Sequence, residues 1–306
     1  MSARWVAGSV RAQALSRRRL GPVGARALAA SASAGEAVRA LAGSPYGARV
    51  RADHDLAAAQ RGVAETLLWN LRVLAGWLPQ RGAEALRALA GWFEIANVDE
   101  HLRTFDGRPA DPPFHLGHLA TAWPRIAAAT SPAELRAALA VSPWRDPGGA
   151  EIRDIQLGMR LAWAERVVIR APAAATWARA GAVLLVARAG SPGGGRLPAG
   201  AAGAAARLLG PAAVGAGSLP ELAAAVPARL RWVLDGVDRP AGLCDAELRW
   251  WRRIGRDATT LLGRAGFGPD PAIGTAALLA EDARLVRAAL EAAARGGDQE
   301  AFDAVT

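Results

Sequence analysis

One pattern occurs twice in this chain and limits its fold more than any other feature. Residues 33–47, SAGEAVRALAGSPYG, align without gaps against residues 131–145, SPAELRAALAVSPWR. Each copy opens on a Ser with a Glu three residues later (Ser33 and Glu36, Ser131 and Glu134), carries Leu41 or Leu139 at the same place, and closes on Ser-Pro-aromatic. Ser-x-x-Glu is a capping box. The hydroxyl accepts from the third helical N–H, and the Glu is expected to reach back to the N–H of the cap residue itself. The proline then stops the helix after two to three turns. A third copy, SLPELAAAV at residues 218–226, keeps the box and Leu222 but breaks at Pro227 without the aromatic. The boxes begin at residues 33, 131 and 218, which predicts three related lobes, at residues 1–130, 131–217 and 218–306.

Between the boxes the apolar residues recur at helical spacing. Residues 67–78 (LLWNLRVLAGWL) and 83–102 (AEALRALAGWFEIANVDEHL) predict two long helices paired as a hairpin about the 79–82 turn. Pro271 can open a C-terminal helix that runs to the Gly296-Gly297 stop. Residues 190–203 (GSPGGGRLPAGAAG) predict a flexible loop, and Arg145 to Ala150 a shorter one. Hydrophobic residues make up 52% of the chain but are dominated by Ala and Leu, with few β-branched or aromatic side chains. The predicted fold class is therefore all-α.

No arrangement of reactive side chains stands out. The chain has no lysine, so a P-loop lysine, a Schiff base and a Ser-Lys dyad are all impossible. Cys244 is the only cysteine, with no neighbouring His to activate it, and it rules out an intramolecular disulfide or a multi-cysteine metal site. His115 and His118 form an H-x-x-H pair after Pro112-Pro113, with His101 upstream, but no third ligand is evident at metal-binding spacing. The glycines at 193–195 and 266–268 lack the preceding strand of a phosphate-binding loop. Among the eleven tryptophans, Trp69, Trp77, Trp92 and the Trp250-Trp251 pair could serve as base-stacking platforms, but their helical context predicts core packing. No metal, cofactor or small-molecule ligand is expected.

The formal charge of +9 suggests an anionic partner, although a chain rich in Arg, Ala and Gly also reads as coding bias. The Arg-rich N-terminus superficially resembles a targeting peptide, but Pro22 and Arg26 interrupt its apolar segment. The longest uncharged stretch, residues 208–220, is shorter than a spanning helix needs, so no membrane crossing is expected. Two acidic positions, Glu94 and Glu281, lie at matching distances after their preceding boxes, at 33 and 218. They are expected either to line a shared interior surface or to lie on a solvated helix face.

In this order the motifs resemble the C-type rotor proteins of prokaryotic V/A-type ATPases, a family whose eukaryotic members are the d-type proteins of the V-ATPase. The resemblance rests on the Arg-rich segment Val10 to Leu20, the turn Ser44-Pro45-Tyr46-Gly47, the run Glu94-Ile95-Ala96-Asn97-Val98-Asp99-Glu100-His101-Leu102-Arg103, and Phe267-Gly268-Pro269-Asp270-Pro271 leading into the last helix. Where the family has Asn-Leu-Arg near the C-terminus, this chain reads Arg284-Leu285-Val286-Arg287. The resemblance implies three similar helical lobes forming a funnel-shaped socket and a non-catalytic rotor adaptor at the inner, cytoplasmic face of the cell membrane. Its implied partners are the central-shaft subunits and the proton-carrying membrane ring, with no nucleic acid bound. Expected interface residues are Glu94, Asn97, Arg103, Glu281, Arg284 and Arg287. The alternative expectation is a basic helical module that binds nucleic acid or another acidic partner.

Overall fold

The computed structural model describes residues 3–190, 197–264, 266–304 and 306. All regular structure among them is helical, with no strand, as the Ala- and Leu-rich composition predicts. The α-helices run α1 (Ala3–Ser16), α2 (Gly21–Ala29), α3 (Ala34–Ala42), α4 (Leu56–Trp77), α5 (Gln80–Phe105), α6 (Trp123–Ile126), α7 (Pro132–Ala140) and α8 (Ile152–Arg170). They continue with α9 (Ala175–Ala189), α10 (Ala199–Leu209), α11 (Pro211–Val214), α12 (Leu219–Ala225), α13 (Leu243–Gly263), α14 (Pro269–Ala294) and α15 (Gln299–Ala304). Among the described residues, no helix is long and apolar enough to cross a membrane.

The chain folds into two compact units, Met1–Ala83 with Arg253–Thr306, and Glu84–Arg252. Compactness therefore divides the chain at other points than the repeat spacing does, because the C-terminal segment returns to the N-terminal one. In the first unit α14 is the central element and packs against α1, α2, α3, α4 and α15. Val286, Ala289 and Leu290 of α14 share one core with Leu28, Val38, Leu41 and Val63. The partners of α4 in this unit are α14, α1 and α3. Helix α14 begins two residues before Pro271 and ends where expected: Gly297 and Asp298 donate backbone N–H groups to the Ala292 carbonyl, and Gly296 and Gly297 take the positive φ values that close the helix.

The second unit packs α8, α9 and α10 together. A separate core forms around the buried Trp144, with Ile95, Val98 and Leu102 of α5, Leu135 and Leu139 of α7, and Ile155 and Met159 of α8. The expected loop at residues 190–203 is corrected in part: residues 191–196 lie outside the described residues, and α10 begins at Ala199. Alanine outweighs glycine there, and Gly200 serves a packing purpose. A Cβ on Gly200 would lie 2.5 Å from the Asp146 carbonyl oxygen, and one on Gly148 would lie 2.1 Å from the Gly200 nitrogen. The two glycine-rich segments thus pack backbone against backbone.

The tryptophan expectation is also corrected. Trp69, Trp77 and Trp92 are 47%, 51% and 47% exposed. These rings lie outward, and two of them carry arginines. Arg49 and Arg72 sit 5.5 and 5.6 Å from the Trp69 ring centre, and Arg160 sits 5.6 Å from that of Trp92, which also meets Trp163 edge to face.

Candidate functional site

All three capping boxes form. Ser33, Ser131 and Ser218 accept from the N–H groups of Glu36, Glu134 and Glu221 at 3.2, 3.3 and 3.3 Å. Each Glu in turn accepts from the residue before the cap, Ala32, Thr130 or Gly217, at 2.9, 2.8 and 2.8 Å. That corrects the expected reach to the cap's own N–H. With the cap residue extended (φ −156°, −149° and −146°), it is the preceding amide that turns toward the Glu.

The Ser-Pro-aromatic endings are equally alike. The Ser44 hydroxyl donates to the Leu41 carbonyl at 2.6 Å and accepts from the Tyr46 N–H at 3.2 Å. Ser142 does the same with Leu139 and Trp144 at 2.8 and 3.1 Å. Each turn aims its aromatic at a buried carboxylate. The Tyr46 hydroxyl donates to Asp282 Oδ2 at 2.7 Å, and the Trp144 indole N–H donates to Glu94 Oε1 at 2.8 Å.

The same carboxylates cap helices. Asp282 accepts from the N–H groups of Leu20 and Gly21 at 3.1 and 2.7 Å, at the start of α2. Glu94 accepts from those of Thr121 and Ala122 at 2.6 and 2.7 Å, at the start of α6. First-turn N–H groups have no intrahelical partner, so a carboxylate there satisfies them and complements the helix dipole. Both capped helices carry a proline in their first turn, Pro22 and Pro124. Each unit thus contains one module: a carboxylate from a long helix that ties an aromatic turn to a helix start.

Burial and the neighbouring Asp282 charge push the Tyr46 phenol well above its ordinary value, so it stays a donor. Arg166 lies 4.4 Å from the Trp144 ring centre and donates to the Thr121 hydroxyl at 2.7 Å. Burial lowers its pKa, and the Glu94 charge works against that shift. The third copy has neither half of the module. Its preceding long helix, α9, contains no acidic residue, and no side chain caps α11. The joint absence follows from energetics, since a buried carboxylate without its donors, or the donors without it, costs about 1–3 kcal/mol per unsatisfied group.

The expected interface residues are placed as follows. Glu94 and Asn97 are 0% and 2% exposed, and both are occupied inside the second unit. Asn97 clamps Phe114 through both backbone groups, at 2.6 and 3.0 Å. Arg103 pairs with Glu100 at 3.2 Å. In the first unit Glu281 is half-buried over Gly255, and desolvation raises its pKa despite Arg284 and Arg19 nearby. Arg287 is exposed and donates to Gln60 at 3.0 Å. The structural equivalent of Glu94 is Asp282, the neighbour of Glu281. Each acid serves the box that follows it around the chain, rather than the one before it. The hidden partner, Asp282 with Tyr46, had a signal in sequence: the repeated Ser-Pro-aromatic ending implies an equally repeated acceptor.

Among the described residues, no group of three or more His, Cys, Asp or Glu side chains is placed to hold a metal ion. His101 Nε2 lies 2.8 Å from the Ala129 carbonyl oxygen, and its ring packs on Phe105 and Trp123. Cys244 is exposed. The chain matches no protein-family model and no curated protein sequence.

Proposed function

We propose that this protein is a non-catalytic rotor adaptor of a V/A-type ATPase. In this reading three related helical lobes form a funnel-shaped socket that seats the foot of the central shaft on the proton-carrying membrane ring, at the inner face of the membrane. The supporting observation is the module just described. One carboxylate–aromatic tie recurs in two units, on segments that carry the resemblance: the Ser44-to-Gly47 turn and the helix from Glu94 to Arg103. Its acids are spent on holding helices together, which suits a part that transmits torque and needs stiffness.

The test is co-purification of the tagged full-length chain from detergent-solubilised membranes of its own cell. Shaft and ring proteins of a V/A-type ATPase should accompany it in stoichiometric amounts. Their absence, with salt-dependent retention on DNA instead, would replace the adaptor with the nucleic-acid reading.

A further inference from the structure

Beside the Tyr46–Asp282 tie, the first unit holds a cleft of about 400 Å³. Arg11, Arg18 and Arg19 reach it from α1 and the residues that follow, Arg49 from beyond the Tyr46 turn, and Trp69 from α4. Asp282 is the only acidic residue in the lining, and its two oxygens already accept three hydrogen bonds.

Elsewhere many arginines of this chain find carboxylates. Among the described residues, none of the four in the cleft forms an ion pair. Arg11 Nε is buried without a hydrogen-bond partner. Arg19 spends only its Nε, on the Ser16 carbonyl at 2.9 Å. Arg49 is steadied against Trp69 at 5.5 Å from the ring centre. The result is a small concavity lined by four guanidinium groups, with Asp282 as the one acid in its lining and the half-buried Glu281 acting on Arg19 from nearby.

We propose that this cleft binds a phosphate-bearing anion carrying at least two negative charges, of diphosphate or phosphate-ester type. Guanidinium forks match the paired oxygens of a phosphate. The cleft volume lies in the range of small-ligand sites and is too small to seat a helix of a partner protein. The phosphate can belong to a free small molecule or to a lipid headgroup. Either departs from the sequence expectation that no small ligand binds, and neither depends on the adaptor reading.

The test is calorimetric titration of the full-length chain with pyrophosphate, alongside flotation with vesicles of phosphatidylglycerol in phosphatidylcholine. Arg18→Gln and Arg49→Gln alter exposed side chains at the cleft, and Arg239→Gln removes an exposed charge elsewhere. Saturable pyrophosphate binding should weaken about tenfold in each cleft variant and stay unchanged in Arg239→Gln. Flotation that needs phosphatidylglycerol and is lost in the same two variants assigns the phosphate to lipid; binding without flotation assigns it to a soluble ligand. The proposal is overturned if neither probe binds, if Arg239→Gln weakens binding as much as the cleft variants do, or if only a polyglutamate peptide binds.

Discussion

The two units solve one problem with different side chains. In the first, a short acid meets a long aromatic donor: Asp282 reaches the Tyr46 hydroxyl and caps the N-cap and first helical residues of α2, Leu20 and Gly21. In the second, a longer acid meets a donor on the flank of a bulkier ring: Glu94 reaches the Trp144 indole N–H and caps Thr121 and Ala122, one residue earlier relative to α6. What the units share is a count of donors around a buried carboxylate, three in each. The lesson is that donor number and geometry are held while residue type drifts, and that the third copy, lacking acid and aromatic alike, avoids a half-filled site.

The strongest way to break the comparison is to remove the acids. Glu94→Ala and Asp282→Ala each strand three donors and should each cost about 3–5 kcal/mol, read by urea unfolding. A cost below about 1 kcal/mol in one of them would show that the modules are alike in shape only. Next come the aromatics. Trp144→Phe should cost about 2–3 kcal/mol, because it loses the hydrogen bond and core volume and weakens the contact with Arg166. Tyr46→Phe should cost about 1–2 kcal/mol. Because the folded phenol is raised above its unfolded value, its contribution is full below about pH 10 and is lost as pH rises further. The gap between wild type and Tyr46→Phe should therefore narrow in that window.

Smaller still are the caps. Ser33→Ala, Ser131→Ala and Ser218→Ala should each lower stability by about 1 kcal/mol, measured as chemical-denaturation midpoints. Equal costs would show that the third copy retains its box in full despite its missing tie. The smallest effect is at Glu281, whose carboxyl is raised by desolvation. Such a group stabilises the fold below its unfolded value and loses that contribution as pH rises through its folded value. Glu281→Gln should thus be slightly stabilising at neutral pH, by less than about 1 kcal/mol, and neutral near pH 4. A loss of stability at neutral pH would mean that its Arg neighbours outweigh burial.

Much of this could be read from the residues, because local chemistry sets local structure. The three boxes, the proline stops and the glycine end of α14 follow from capping and backbone preferences at named positions. The all-helical class follows from Ala and Leu. What could not be read is tertiary. The pairing of Asp282 with Tyr46 spans 236 residues, so sequence spacing tied the C-terminal acid to the nearest preceding box instead. Trp69 and Trp92 read as core because they sit in apolar helices, yet which face of such a helix is covered is decided by tertiary packing, and these two rings lie outside and carry arginines. Three of the cleft arginines, Arg11, Arg18 and Arg19, stand in the Arg-rich segment Val10 to Leu20, but nothing in the sequence ties them to Arg49 and Trp69.

The central claim is that two buried carboxylates hold the amides at the entry to two helices. Amide hydrogen exchange on the full-length chain reads those amides directly. The backbone N–H groups of Leu20, Gly21, Thr121 and Ala122 should exchange slowly, although none has an intrahelical acceptor, and Asp282→Asn or Glu94→Gln should speed only the pair in its own unit. Exchange of these four amides at the rate of exposed first-turn amides in the wild-type protein would contradict the account.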